Sequence, residues 1–156
     1  MSHTKNLTPE KPKSIKSLQA LLHANIDLTA QFREAHWNVR NVANFVGLHS
    51  LFGEGYSVLA AHQDALAERI AQLGNLAEGN IRDAARESFL KGSMECTHDG
   101  KVLCTRLSGR AATYSKSLVN CFEAATETRD HTTANMLIGM SEAVDKLVWQ
   151  IEANLE

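Results

Sequence analysis

The sequence predicts an all-α protein, a bundle of four long helices with an extended connection between the second and the third. Apolar residues recur at three- and four-residue spacing over four separate stretches, and strand-like alternation is absent throughout. Gly79, Gly92 and Gly100 fall between the second and third stretches, where the periodicity lapses. At 156 residues with 44% hydrophobic content, the chain fits one domain with a substantial core.

Residues 1–16 hold both prolines, Pro9 and Pro12, and the lysines Lys5, Lys11, Lys13 and Lys16, with Glu10 as their only acid. That composition predicts a flexible tail over 1–16 ahead of a bundle domain over 17–156. Leu18, Leu21, Leu22, Leu28, Phe32, Ala35 and Val39 then mark one stripe of a first helix ending near Arg40. Phe45, Leu48, Phe52, Tyr56, Leu59, Leu66, Ile70 and Leu73 mark a second, with Gly74 as its stop. Residues 75–101 form a crossover, with a short helix expected around Ile81–Leu90. A third stripe runs Leu103, Leu107, Ala111, Tyr114, Leu118, Phe122, Ala125. After a break at Thr128–Asp130, a fourth runs Ala134, Leu137, Ile138, Val144, Leu147, Val148, Ile151. Two hairpins joined by one long connection resemble the ferritin-like arrangement of four-helix bundles, which places the second and third long helices parallel.

Several functional classes become unattractive on composition alone. A net charge of −2 and a pI near 6.4 give no overall attraction to nucleic acid or anionic lipid, so such binding needs a local patch. No apolar stretch approaches membrane-spanning length, and the polar, lysine-containing start lacks a signal core, so a cytoplasmic protein is expected. Cys96, Cys104 and Cys121 form no CxxC pair, and their odd number argues against a disulfide framework.

Chemistry concentrates on the second helix. On a wheel of about 100° per residue, Phe52, Leu59, Leu66 and Ile70 cluster on a core face. Gly53, Ser57, Ala60, Asp64, Ala67, Glu68 and Ala71 make a second face of small residues punctuated by acids, suited to close helix approach. Asp64 and Glu68, one turn apart, can hold a hard cation, and imidazole from His36 or His49 suits iron, zinc or copper. His49 and Asp64 lie about 22 Å apart along a helix and cannot share a metal within one chain. An antiparallel pairing of this helix with a symmetry mate, centred near Tyr56–Ser57, brings them together twice per dimer. Simpler accounts stand beside this one: an acidic pair at this spacing is more often a solvated face, with Glu68 and Arg69 serving local ion pairing, and a lone histidine after Phe32 on an apolar stripe is more often a satisfied core residue.

The run Ala35-His36-Trp37-Asn38-Val39-Arg40, then Phe45, Leu48-His49-Ser50-Leu51-Phe52, Asp64-Ala65-Leu66-Ala67-Glu68-Arg69-Ile70 and Leu73-Gly74 resembles the signature of the Dps family, the starvation-induced DNA-protection proteins. The final segment from Asp130 through Asp145-Lys146, Trp149, Ile151-Glu152 and Asn154 is similar to that family's last helix. The resemblance implies a hollow shell, a dodecamer built from twofold dimers. In it iron(II) is oxidised, preferably by hydrogen peroxide, and stored as ferric mineral, which suppresses Fenton chemistry. It implies His36 and His49 from one subunit and Asp64 and Glu68 from the other as catalytic and metal-binding residues, with iron as the metal and zinc compatible with the same site. Trp37 would sit nearby, as an interfacial anchor or in a redox role. Lys5, Lys11, Lys13 and Lys16 would supply phosphate contacts for DNA, as basic tails do in some family members, and a nucleoid-associated location would follow; a solubilising tail is the alternative.

This chain departs from the family pattern in two places. Gly53, followed by Glu54 and Gly55, stands where the family usually has an aspartate, so one expected ligand is missing. Glu54 reaches the site only if Gly53–Gly55 distorts the helix, and water is another substitute. The alternative function is therefore a DNA-binding, DNA-compacting or structural shell with impaired oxidation. Asn41, where the first-helix motif often ends in glycine, tolerates the same cap conformation. Competing sites are weaker. Glu95-Cys96-Thr97-His98 is the chain's one Glu-x-x-His motif and lies in the crossover, and Cys96, His98 and Cys104 fit no standard zinc spacing.

Overall fold

The computed structural model describes residues 11–40, 42–90, 92 and 95–156. Its helices are α1 (Lys11–Asn38), α2 (Phe45–Gln72), the short α3 (Ile81–Glu87), α4 (Gly100–Glu127) and α5 (His131–Glu152). No strand forms among the described residues.

The start of α1 corrects the expected boundary. Helix begins at Lys11, so Lys11, Lys13 and Lys16 belong to α1 rather than to a tail extending through residue 16. Pro12 is compatible with this start. In the first helical turn its missing N–H removes no intrahelical bond, and its fixed φ suits the helix. Lys5 and the remainder of the expected tail lie outside the described residues.

Local chemistry sets the other ends. Gly74 (φ +86°) follows α2 in the left-handed conformation that glycine adopts without strain. Asn80 caps α3 by accepting from the Asp83 N–H at 3.0 Å, and Asp99 caps α4 by accepting from Lys101 and Val102 at 2.9 and 3.1 Å. Between α4 and α5, Arg129 takes a positive φ of 58° and Asp130 then caps α5 through the Thr133 N–H at 3.1 Å.

Paired contacts give the topology. Phe32 lies against Gly55 and His36 against Gly53, so α1 and α2 run antiparallel. Ser115 donates to Asp145 at 2.5 Å across an antiparallel α4–α5 hairpin. Arg69 meets Thr133 at one end of the α2–α5 pair and Asn44 meets Asn154 at the other, so these helices are antiparallel as well. It follows that α2 and α4 are parallel, as the long crossover requires.

The core lies along the bundle axis. Leu18, Leu21, Leu22, Leu28 and Phe32 of α1 meet Phe52, Leu59, Leu66 and Ile70 of α2, Leu107, Tyr114 and Leu118 of α4, and Leu137, Val144 and Ile151 of α5. Phe32 and Phe52 pack edge to face with ring centroids 6.4 Å apart. Gly55 is required here, because a Cβ at that position would overlap the Phe32 ring. One polar pair crosses the core: fully buried Asn25 donates to the hydroxyl of fully buried Tyr114 at 3.1 Å, joining α1 to α4. Burial pushes the Tyr114 phenol well above its ordinary range, so it stays protonated.

Candidate metal centre

The short α1–α2 connection places His36, in the last turn of α1, beside His49, in the second turn of α2. Their rings stack with centroids 3.9 Å apart and planes 23° from parallel. Nδ1 of His36 lies 2.7 Å from the His49 carbonyl oxygen, and Nδ1 of His49 lies 2.8 Å from the His36 carbonyl oxygen. A carbonyl only accepts, so both Nδ1 atoms carry the proton and donate. In a neutral imidazole the lone pair then sits on Nε2, the arrangement that hydrogen-bonded metal-ligating histidines use. Both rings are half-buried. His36 is thus not the satisfied core residue that its place on an apolar stripe favoured.

Two exposed aromatics neighbour the pair. Trp37 is 64% exposed and Phe45 44% exposed, and the Phe45 ring centroid lies 5.6 Å from that of His49. The Arg33 guanidinium sits 5.4 Å from the Trp37 ring centroid and 5.9 Å from that of Tyr56, so cation–π attraction gathers these side chains on one side of the α1–α2 hairpin.

Asp64 and Glu68 are both exposed, further along α2. The small-residue face that carries them is unburied: Gly53, Ala60 and Ala67 are intermediate, and Ser57 and Ala71 exposed. Among the described residues, no group of three or more His, Cys, Asp or Glu side chains comes close enough within one chain to hold a metal. The chain therefore brings His36 and His49 together and leaves Asp64 and Glu68 apart from them.

At Gly53 the helix continues without distortion, and Ser57 donates to the Gly53 carbonyl at 3.0 Å, one turn back. Exposed Glu54 is consequently not rerouted toward the histidines, which removes the substitution that a distorted Gly53–Gly55 segment would have allowed.

Elsewhere the ionisable groups serve the scaffold. Buried Arg69 donates from Nε to Thr133 at 2.8 Å and from a terminal nitrogen to Asp130 at 2.8 Å, rather than pairing with its neighbour Glu68. Burial pushes the Asp130 carboxyl up, but two hydrogen bonds from Thr133 and the Arg69 guanidinium outweigh it and hold the group below its usual range. Cys104 is fully buried, and burial raises its thiol to about 11, whereas Cys96 is exposed. With His98 they assemble no cluster.

The reciprocal histidine lock was invisible to sequence reasoning, since it depends on how closely two helices approach. Gly53 was the one available signal. No helix among the described residues is long and apolar enough to cross a membrane.

Comparison with known proteins follows the same lines. Residues 15–156 match the ferritin-like domain family. A DNA protection during starvation protein of Agrobacterium fabrum is 30% identical, the alignment covering 98% of this chain and 95% of that protein. The crystal structure of a Dps protein from Bacillus brevis superposes with a TM-score of 0.88 at 26% identity, covering 96% of this chain and 99% of the other. A Vibrio cholerae Dps structure, described as a member of a broad superfamily of ferritin-like diiron-carboxylate proteins, gives 0.86 at 26% identity over 94% and 91% of the two chains.

Proposed function

Because this chain belongs to the ferritin-like family and, within it, to the Dps proteins, we propose that it stores iron, oxidising iron(II) with hydrogen peroxide at sites shared between two subunits. The observation that carries this reading is the histidine pair, with each Nδ1 held by the other residue's carbonyl and each Nε2 left to bind a cation. The donor set fits iron as a substrate: two imidazoles, with Asp64 and Glu68 supplied by a second subunit across the small-residue face of α2.

In this reading the carboxylates attract iron(II) and stabilise the higher charge that develops on oxidation. His36 and His49 position the reacting ions without reorganising, since their rings are fixed before any ion arrives. Peroxide takes one electron from each of two iron(II) ions as its O–O bond breaks, giving two iron(III) ions and, with protons, water. The ferric product is retained as mineral in a hollow shell of twelve subunits, whose subunit contact would cover Trp37 and Phe45, both exposed in the single chain.

Anaerobic iron(II) loading followed by peroxide, read by ferric absorbance, tests the proposal on the native chain and on His36→Ala/Asp64→Ala. Rapid oxidation with soluble mineral, slowed at least tenfold in the double variant, is the expected result; equal slow rates in both overturn it.

Gly53 favours a second reading, a DNA-binding or structural shell with impaired oxidation, since one oxygen ligand is absent. Lys16 is exposed near the start of α1 and would add to phosphate contacts from Lys5, Lys11 and Lys13. Salt-sensitive gel retardation lost on deleting residues 1–16 would accompany that reading.

A further inference from the structure

We propose that Gly53 sets the metal preference of this site by seating the His36 ring, so that the chain offers two locked imidazole nitrogens without a neighbouring carboxylate. This rests on the metal-site reading given above.

Gly53 is occupied space rather than a gap. A Cβ at this position would stand 3.0 Å from Nδ1 and 3.1 Å from Cε1 of His36, closer than nearly all such contacts. A flexible side chain would yield by a few tenths of an ångström, but His36 is constrained in two directions. The His49 ring lies against one of its faces, and its Nδ1–H is held in the ring plane by the His49 carbonyl at 2.7 Å. Any side chain at residue 53 therefore loosens the stacking or the hydrogen bond.

An aspartate would do more than crowd the ring. Its carboxylate, attached one bond beyond a Cβ beside Nδ1, would compete with the His49 carbonyl for the His36 proton, and a charged acceptor makes the stronger bond. The reciprocal pair would open. His49 would then lose the ring that stacks on it, while retaining its own bond to the His36 carbonyl only if the end of α1 stayed in place.

Specificity follows from donor chemistry. Imidazole suits zinc and iron, whereas carboxylate oxygen suits manganese and magnesium. Gly53 moves the balance of the site toward nitrogen, and a carboxylate at that position would move it back.

The test uses the full-length metal-free protein with Gly53→Ala and Gly53→Asp, each shown to be folded by its thermal melt. Magic-angle-spinning NMR of 15N-histidine-labelled protein reports which ring nitrogens carry protons, with His49→Ala assigning the pair. Calorimetric titration with zinc chloride and with manganese chloride reports the affinity ratio. The expected result is Nδ1–H on both histidines in the native chain, a shifted His36 Nδ1–H resonance that marks the changed hydrogen bond in both variants, and at least a tenfold fall in the zinc-over-manganese ratio in Gly53→Asp. An unshifted His36 Nδ1–H resonance with an unchanged ratio overturns the role given to Gly53, as does a parallel gain in affinity for both metals, which would mark it as simply a lost ligand. Absence of zinc binding by the native chain, by contrast, overturns the metal-site reading itself.

Discussion

At its C-terminal end α2 commits Arg69 to Asp130 and Thr133 of α5, whereas at its N-terminal end it carries His49, whose ring nitrogen Nε2 has no hydrogen-bond partner among the described residues. The first end is closed. Every polar group of the Arg69 network faces another group of the same subunit, and the side chains of Arg69 and Asp130 are 9% and 20% exposed. The second end is open, with half-buried imidazoles and exposed aromatics. The contrast separates stability from function along one helix: groups satisfied within the subunit hold the bundle together, and groups left unsatisfied are available to a cation or to a second copy.

Substitutions at the two ends should behave accordingly. Arg69→Ala leaves Asp130 largely buried without its cation, and a loss of about 3 kcal/mol in urea unfolding is expected, near the low end for a broken buried pair because Asp130 keeps some contact with water. His49→Ala removes one hydrogen bond and a stacked ring at the open end, for an expected loss of about 1 kcal/mol. A cost equal to that of Arg69→Ala would erase the distinction between the ends.

The smallest effect concerns acid. Asp130 titrates below its ordinary value in the folded protein, so its contribution to stability is fully present above the unfolded pKa and disappears as pH falls through the lower folded value. Melting temperatures followed from about pH 5 to about pH 2 should therefore decline less steeply in Asp130→Asn than in the native chain. Parallel slopes would remove Asp130 from the acid response of the closed end.

Much of the scaffold was legible because burial follows period. Leu18, Leu21, Leu22, Leu28 and Phe32 were expected on one stripe of the first helix and are all buried, and the break expected at Thr128–Asp130 holds the C-cap of α4 and the N-cap of α5. The start of α1 was misjudged because proline and lysine composition cannot distinguish a tail from a first turn. The partner of Arg69 was hidden for a different reason: its neighbour Glu68 is close in sequence, but its partner Asp130 is brought to it only by the fold. At the candidate site, residue types pointed to His36 and His49, while their mutual lock and the seat at Gly53 depend on ångström-scale approach that spacing does not encode.

The buried Asn25–Tyr114 bond favours one register of α4 against α1. The crossover is fastened to α1, Ser88 donating to Asp27 at 2.6 Å and Gln19 donating to the Glu78 carbonyl at 2.6 Å, but those contacts lie nearer the surface, whereas this one lies among leucines that carry no direction of their own. A slip of one helical turn, about 5.4 Å, strands both polar groups in hydrocarbon. The register is thereby held in discrete settings with a single favoured one, from inside the bundle as well as from the crossover.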